Sequence, residues 1–180
     1  MTKNAYAYTT ASVSGLSPAQ SHTYTYGNAG WKGQLTQLQT QVGTDPVTTQ
    51  TISYDAVGNP TSDGTWSYTW QHGRQLAQMS RTGETISFEY NEDGLRTRKT
   101  VTVGQTETVT EYVLHGKNVV HLTRGTDELH FYYDAQEKPA VVVFNGAPYG
   151  YLYNLQGDVV AQVDGAGAKV VEYGYTSVQG

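Results

Sequence analysis

Glycine recurs along most of this chain at an almost fixed interval, and that spacing restricts the fold more than any other feature. Gly43, Gly64, Gly83, Gly104, Gly125, Gly146 and Gly167 are separated by 21, 19, 21, 21, 21 and 21 residues. A fixed period of this length denotes one supersecondary unit repeated along the chain, each copy completing its neighbour. A second series interleaves with the first. The aromatic anchors Tyr54, Trp70, Tyr90, Tyr112, Tyr133, Tyr153 and Tyr175 step by 16, 20, 22, 21, 20 and 22. Tyr26 begins this series, 28 residues before Tyr54, with an insertion around "TQVGTDP". With about eight to ten residues between turn centres, each unit reads as strand, turn, strand, turn: a repeated β-hairpin.

Composition agrees with strands. There are 15 Tyr against 3 Trp and 3 Phe, and 20 Gly in 180 residues, with abundant Thr and Val, a mix suited to half-buried strands joined by tight turns. The anchors often come as aromatic-x-aromatic pairs: Tyr24 and Tyr26, Tyr68 and Trp70, Phe88 and Tyr90, Tyr151 and Tyr153, Tyr173 and Tyr175. In a strand both rings of a pair point to one face, expected here to be the packed one or the one on which neighbouring strands stack their rings. After each anchor a polar residue followed a few positions on by Gly is expected, as in Asp55 and Gly58, Asn91 and Gly94, Asn154 and Gly157. This spacing predicts a turn closed by Gly in the left-handed region, with the Asx side chain accepting backbone N–H groups. In "YYDAQEKP" Glu137 and Lys138 stand where Gly is expected, so that turn is expected to differ or to be strained. "SDG", "RTG", "TRG", "FNG" and "DGAG" read as ordinary hairpin tips. The fold class is therefore all-β, a set of hairpins of about 21 residues forming a coiled antiparallel sheet. At this length a single domain, residues 1–180, is expected.

Several functions are disfavoured by what the chain contains. Eleven basic and sixteen acidic side chains, with a net charge of −5, leave no Lys/Arg stripe to follow a phosphate backbone, so no nucleic-acid partner is expected. Without cysteine, neither a disulfide framework nor a thiolate metal site exists. No apolar run approaches the roughly 20 residues that span a bilayer, so no membrane insertion is expected, and any export signal is expected outside this chain. Gly-x-Ser-x-Gly, phosphate-loop and His-Glu-x-x-His motifs are absent. "DGAGAK" from Asp164 has the glycines and lysine of a phosphate loop but occupies a hairpin tip. His115 and His121, six apart with Gly116 between them, together with His130 form the one three-histidine set in which metal binding is worth weighing. Ordinary turn and surface histidines are the expected reading, and no metal or cofactor is assigned. The adjacent pairs Glu92-Asp93 and Asp127-Glu128 read as solvated turn residues rather than an acid and base pair.

The Tyr-Asx-x-x-Gly units resemble the Rhs and YD-repeat (tyrosine-aspartate repeat) family. "ISYDAVGNP" is nearly that family's core pattern, and "FEYNEDGLR" and "YLYNLQGDVVAQVD" are close variants; the resemblance covers about residues 21 to 175. It divides the chain into an N-terminal strand segment (1–20), YD-type repeats (21–149) and a stretch similar to the Rhs-associated core (150–180). The structural motif residues it singles out are Tyr54, Asp55, Gly58, Tyr90, Gly94, Tyr133, Asp134, Tyr153, Asn154, Gly157, Tyr173 and Tyr175. The resemblance implies a β-sheet shell around a hollow interior, which in bacterial members encloses a C-terminal toxin. A structural, encapsulating segment without catalysis of its own is therefore expected, secreted or on a bacterial cell surface, with neighbouring repeats and a toxin domain as partners. In family members with a self-cleavage site an Asp follows the final tyrosine, whereas here Thr176 follows Tyr175, and the single Asp-Pro, Asp45-Pro46, lies far upstream. Self-processing is thus a lesser alternative, and a continuation beyond Gly180 is expected. A carbohydrate-binding or adhesion module is the other alternative, because rows of rings stack on sugar faces; any unusual surface is expected where the period breaks, at residues 27 to 53 and in the N-terminal "AYAYTTASVSGLSPAQSH". Two unpaired edges, "AYAYTTASV" and "KVVEYGY", lead to the expectation of an edge-strand dimer or of an edge covered by terminal residues.

Overall fold

In the computed structural model the described residues are 2–6 and 20–175, and among them the chain forms strands and turns with no helix. The all-β class holds. Backbone packing divides the chain into two compact units, Met1–Thr85 and Ile86–Gly180.

The first unit contains a four-stranded antiparallel sheet in chain order: β1 (Thr2–Tyr6), β2 (Gln20–Thr25), β3 (Gln37–Val42) and β4 (Thr48–Thr51). A second run follows in β5 (Ser53–Tyr54), β6 (Pro60–Ser62), β7 (Ser67–Gln71) and β8 (Gln75–Arg81), in which β6, β7 and β8 are each antiparallel to the strand before. Pro60 stands at the first position of β6, where its missing N–H costs the ladder least. β9 (Glu84–Tyr90) starts at the end of this unit.

In the second unit β10 (Arg96–Val103), β11 (Thr106–His115), β12 (Asn118–Arg124), β13 (Asp127–Tyr133), β14 (Pro139–Phe144), β15 (Ala147–Tyr153), β16 (Val159–Val163) and β17 (Lys169–Glu172) pair one after the next, all antiparallel. The period is thus two strands and two turns. All seven periodic glycines lie at turns with φ between 54° and 87°, which explains why the interval is kept by Gly and not by another small residue.

Three local expectations need correction. Asp127 and Glu128 open strand β13 rather than sitting in a turn, because the turn before them is closed by Gly125 and Thr126 alone. "DGAG" is not a simple tip: the Asp164 N–H donates to the Ala168 carbonyl at 2.9 Å, the same closure as in the turns after the anchors. Not every anchor leads into such a turn either, since β11 runs on past Tyr112 to His115.

Burial is modest. Val142 (4% exposed) and Ala161 (5%) are the buried apolar side chains among the described residues, while Tyr132 and Leu152 remain 55% and 45% exposed. Tyr151 is half-buried, and burial raises its pKa, helped by the nearby Tyr173, Tyr153 and Tyr133. β17 is the last strand of its sheet, and all four of its residues are exposed. Of the other expected edge, "AYAYTTASV", only Ala5 and Tyr6 belong to β1, which pairs with β2. Residues 7–19 and Thr176 lie outside the described residues.

Candidate functional site

The most repeated construction in the molecule is a corner built from an anchor ring and the Asx turn after it. Tyr54, Tyr90, Tyr133 and Tyr153 are the last residues of β5, β9, β13 and β15. The turn from Asn154 shows the pattern. Its N–H donates to the Asp158 carbonyl (3.0 Å), its carbonyl accepts the Gly157 N–H (3.0 Å), and its Oδ1 accepts the N–H groups of Gln156 (3.0 Å) and Asp158 (2.9 Å). Asp134 repeats it with Lys138, Glu137 and Gln136, and Asp164 with Ala168, Gly167 and Ala166. Asp55 does so with Asn59, Gly58 and Val57, and Asn91 pairs in the same way with Leu95 and Gly94. One short side chain therefore satisfies N–H groups that no ladder partner reaches.

The fifth residue of the turn adds a side-chain bond. Asn59 Nδ2 donates to Asp55 Oδ2 at 2.9 Å and to the Gly73 carbonyl at 2.6 Å, and Asn59 is only 6% exposed. In the Asn154 turn the chemistry is exchanged, Asn154 Nδ2 donating to Asp158 Oδ2 at 3.0 Å. Burial opposes the Asp55 charge, yet the N–H groups of Asn59, Val57 and Gly58 and the Asn59 amide outweigh it and hold its carboxyl below the usual range.

Several anchor rings reach back to backbone earlier in the chain, Trp70, Tyr133 and Tyr153 to the strand before their own. The ladder slips by a residue at Tyr54, Trp70, Tyr133 and Tyr153, and a bulge re-aims the side chain it carries. The Tyr54 hydroxyl donates to the Leu35 carbonyl (2.8 Å), Tyr133 to Val119 (2.8 Å), Tyr153 to Pro139 and Tyr175 to Val159 (2.7 Å), while Trp70 Nε1 donates to Pro60 (2.6 Å). Burial raises the pKa of Tyr54, Tyr133 and Tyr153. Tyr173 differs, its hydroxyl accepting from Gln162 Nε2 at 3.0 Å. These polar groups are engaged in holding backbone.

The period breaks at residues 27 to 53, and there Trp31, 47% exposed, stands with Asn28, Gln34 and Tyr54 around a shallow hollow of about 440 Å³. The Asn28 side chain binds the N–H groups of Gly30 (2.9 Å) and Trp31 (3.1 Å) and the Gln34 side chain (2.6 Å). Trp31 lies so close to Gly58 that a Cβ there would fall 1.9 Å from its ring.

A second cluster involves two of the three histidines weighed from sequence. His121 and His130 face each other across β12 and β13, and their rings stack with centroids 4.4 Å apart and an interplanar angle of 12°. Glu128 Oε1 lies 3.0 Å from His121 Nε2 and 3.2 Å from His130 Nε2. His115 does not join them; it pairs with Asn118 at the Gly116 turn. Glu128 was missed because it reads as half of a turn pair, although His121 and His130 are equally distant from the Gly125–Thr126 tip and so had to meet.

No family model matches the chain. It is 34% identical over 136 residues to the tRNA3(Ser)-specific nuclease WapA of Bacillus spizizenii and 34% identical over 136 residues to the tRNA nuclease WapA of Bacillus subtilis strain 168. Each alignment takes in 72% of this chain, and the chain spans 6% of the length of these relatives. Among solved structures, the Photorhabdus luminescens Tc holotoxin pore with the TccC3 mutation D651A matches with a TM-score of 0.47 and 16% identity, over 88% of this chain and 10% of that one. TcdB2-TccC3 without its hypervariable C-terminal region matches with a TM-score of 0.47 and 15% identity, over 89% and 10%. Over nearly three quarters of its length, this chain is similar to a small segment of the WapA nucleases.

Proposed function

We propose that the chain is a structural wall segment of the Rhs/YD-repeat type: a run of hairpins that, with neighbouring repeats, encloses a toxin domain of a larger secreted or surface protein and performs no catalysis itself. The observation that carries this reading is the corner: in repeat after repeat the Asx and tyrosine polar groups are spent on backbone, as construction requires and a catalytic site does not. Similarity to a small segment of the WapA nucleases supports it, and on this reading the tRNA cleavage in their names belongs to other parts of those proteins. Eleven basic against sixteen acidic side chains agree with that assignment. The test has two parts. The isolated chain incubated with bulk tRNA should leave it intact. In the parent protein, Asp134→Ala combined with Asn154→Ala should expose the enclosed domain to protease earlier than in the wild type; equal protection would refute the enclosing role. The outer side of β17, the last strand of its sheet among the described residues, should pair two isolated copies edge to edge, and a monomer by light scattering would count against that part.

Carbohydrate binding is the second reading, favoured by Trp31 standing exposed beside the amides of Asn28 and Gln34 where the period breaks. Quenching of Trp31 fluorescence by oligosaccharides, lost in Trp31→Ala, would support it; an unchanged spectrum across a glycan panel would remove it.

A further inference from the structure

We propose that His121, Glu128 and His130 form a binding site for one divalent transition-metal ion of the imidazole-preferring class, with zinc as the reference ion. Two imidazoles and one carboxylate are a donor set such ions accept, leaving a fourth position for water or for a ligand from another molecule. The donor atoms Nε2, Oε1 and Nε2 all lie within 4.8 Å of one another.

The distances need little change, while the two rings, stacked at 12°, must turn about their side-chain bonds so that their in-plane lone pairs converge on one ion. With metal–ligand bonds of about 2.0 to 2.1 Å, a tetrahedral ion holds its donors roughly 3.3 Å apart. Glu128 Oε1 already lies 3.0 Å and 3.2 Å from the two Nε2 atoms. An ion would therefore replace two hydrogen bonds to one carboxylate oxygen while moving those donors apart by a few tenths of an ångström.

The three residues are also held. His121 and His130 are register partners in adjacent strands, and Glu128 shares the His130 face two residues away. The Glu128 backbone is clamped by Asn145, whose Oδ1 accepts the Glu128 N–H (2.8 Å) and whose N–H donates to the Glu128 carbonyl (2.9 Å). Asn145 in turn sits at φ 47° beside Gly146 at φ 85°, the paired positive angles of a type I′ turn. The carboxylate thus rises from a fixed point between two hairpins. With side-chain exposures of 26% for His121, 54% for Glu128 and 44% for His130, an ion reaches the cluster directly from solvent.

The experiment is calorimetric titration of the purified chain with zinc chloride, with cobalt(II) absorption in the visible as a second readout. One ion per chain with a micromolar dissociation constant is expected, and cobalt should give the bands of a low-coordinate nitrogen and oxygen site. His121→Ala and His130→Ala should each weaken zinc at least tenfold and abolish the cobalt bands, with Glu128→Gln weaker by a similar factor. His115→Ala should stay within twofold of wild type. Far-ultraviolet circular dichroism of each variant separates loss of the site from loss of the fold, and Glu128→Gln, which keeps size and strand position, serves if the alanine variants unfold. No saturable zinc binding up to millimolar concentration, or an equal loss in His115→Ala, would overturn the proposal.

Discussion

The turn from Asn154 to Asp158 and the turn from Asp134 to Lys138 make the same four hydrogen bonds around different fourth residues. In the first, Gly157 stands at φ 90°; in the second, Glu137 stands at φ 62°. The Asx side chain and the closing backbone bond therefore define the turn, while glycine only relieves it. An L-residue in the left-handed region costs roughly 1–2 kcal/mol, and the Glu137 turn shows that the bonds are strong enough to impose that cost. The angle also relaxes toward the value a Cβ tolerates, about 57°. Of the two outcomes expected for this turn, a different conformation or strain, the molecule shows strain.

The comparison is most severely tested where glycine has a second duty. Gly58 is at φ 90° with the Trp31 ring where a Cβ would be. Gly58→Ala should cost the first unit about 3 kcal/mol, combining backbone strain with overpacking; a urea midpoint unchanged within error would show that Trp31 moves aside freely. Next in size, Asn154→Ala removes two accepted N–H bonds and the link to Asp158, and should cost about 2 kcal/mol in the second unit. Gly157→Val should cost on the order of 1 kcal/mol or more, since the nearest obstacle, Lys138 Nζ at 3.3 Å, is the far end of a flexible chain. The reverse change sharpens the comparison most cleanly: Glu137→Gly should stabilise by about 0.5 to 1 kcal/mol in thermal unfolding. A destabilised Glu137→Gly would mean that the glutamate side chain makes a contribution the turn geometry does not explain.

A smaller effect concerns a turn of another kind, from Asp63 to Trp66. Burial, the hydrogen bond to Asp63 at 2.7 Å and that carboxylate's charge push the Tyr68 pKa up to about 12 from 10.0. A raised folded pKa gives stability that is complete below the unfolded value and is lost as pH rises through the folded one. The first unit should therefore weaken between about pH 10 and 12, and Tyr68→Phe should remove that dependence; an unchanged alkaline profile in the variant would assign it elsewhere. Asp63 has the opposite sense. Burial alone would raise its pKa, but the N–H groups of Trp66 and Thr65 and the Tyr68 hydroxyl lower it, so its contribution fades as pH falls below the usual carboxylate range.

What was readable in the sequence followed from local geometry. Positive φ at Gly58, Gly94 and Gly157 and the Asx bonds of Asp55, Asp134 and Asn154 depend on a few consecutive residues, and the pattern stated them. What was hidden depended on pairing between strands. Asp127 and Glu128 look like turn residues until the tip is placed at Gly125 and Thr126, and only then do His121 and His130 fall opposite each other with Glu128 beside them. Asp164 was hidden for another reason: two glycines and two alanines after it resemble a tip, and only the bond to Ala168 reveals the longer loop.

The tyrosine bridges reach back no farther than 14 to 19 residues. Tyr54, Tyr133, Tyr153 and Tyr175 are thus each answered by a carbonyl within about one repeat upstream, and these bonds do not depend on how many units precede them. A change of length by one whole unit would leave each of these tyrosine bonds closed within its own 14 to 19 residues. Length in this architecture is a heritable variable that mutation can adjust one unit at a time, without redesigning these bonds.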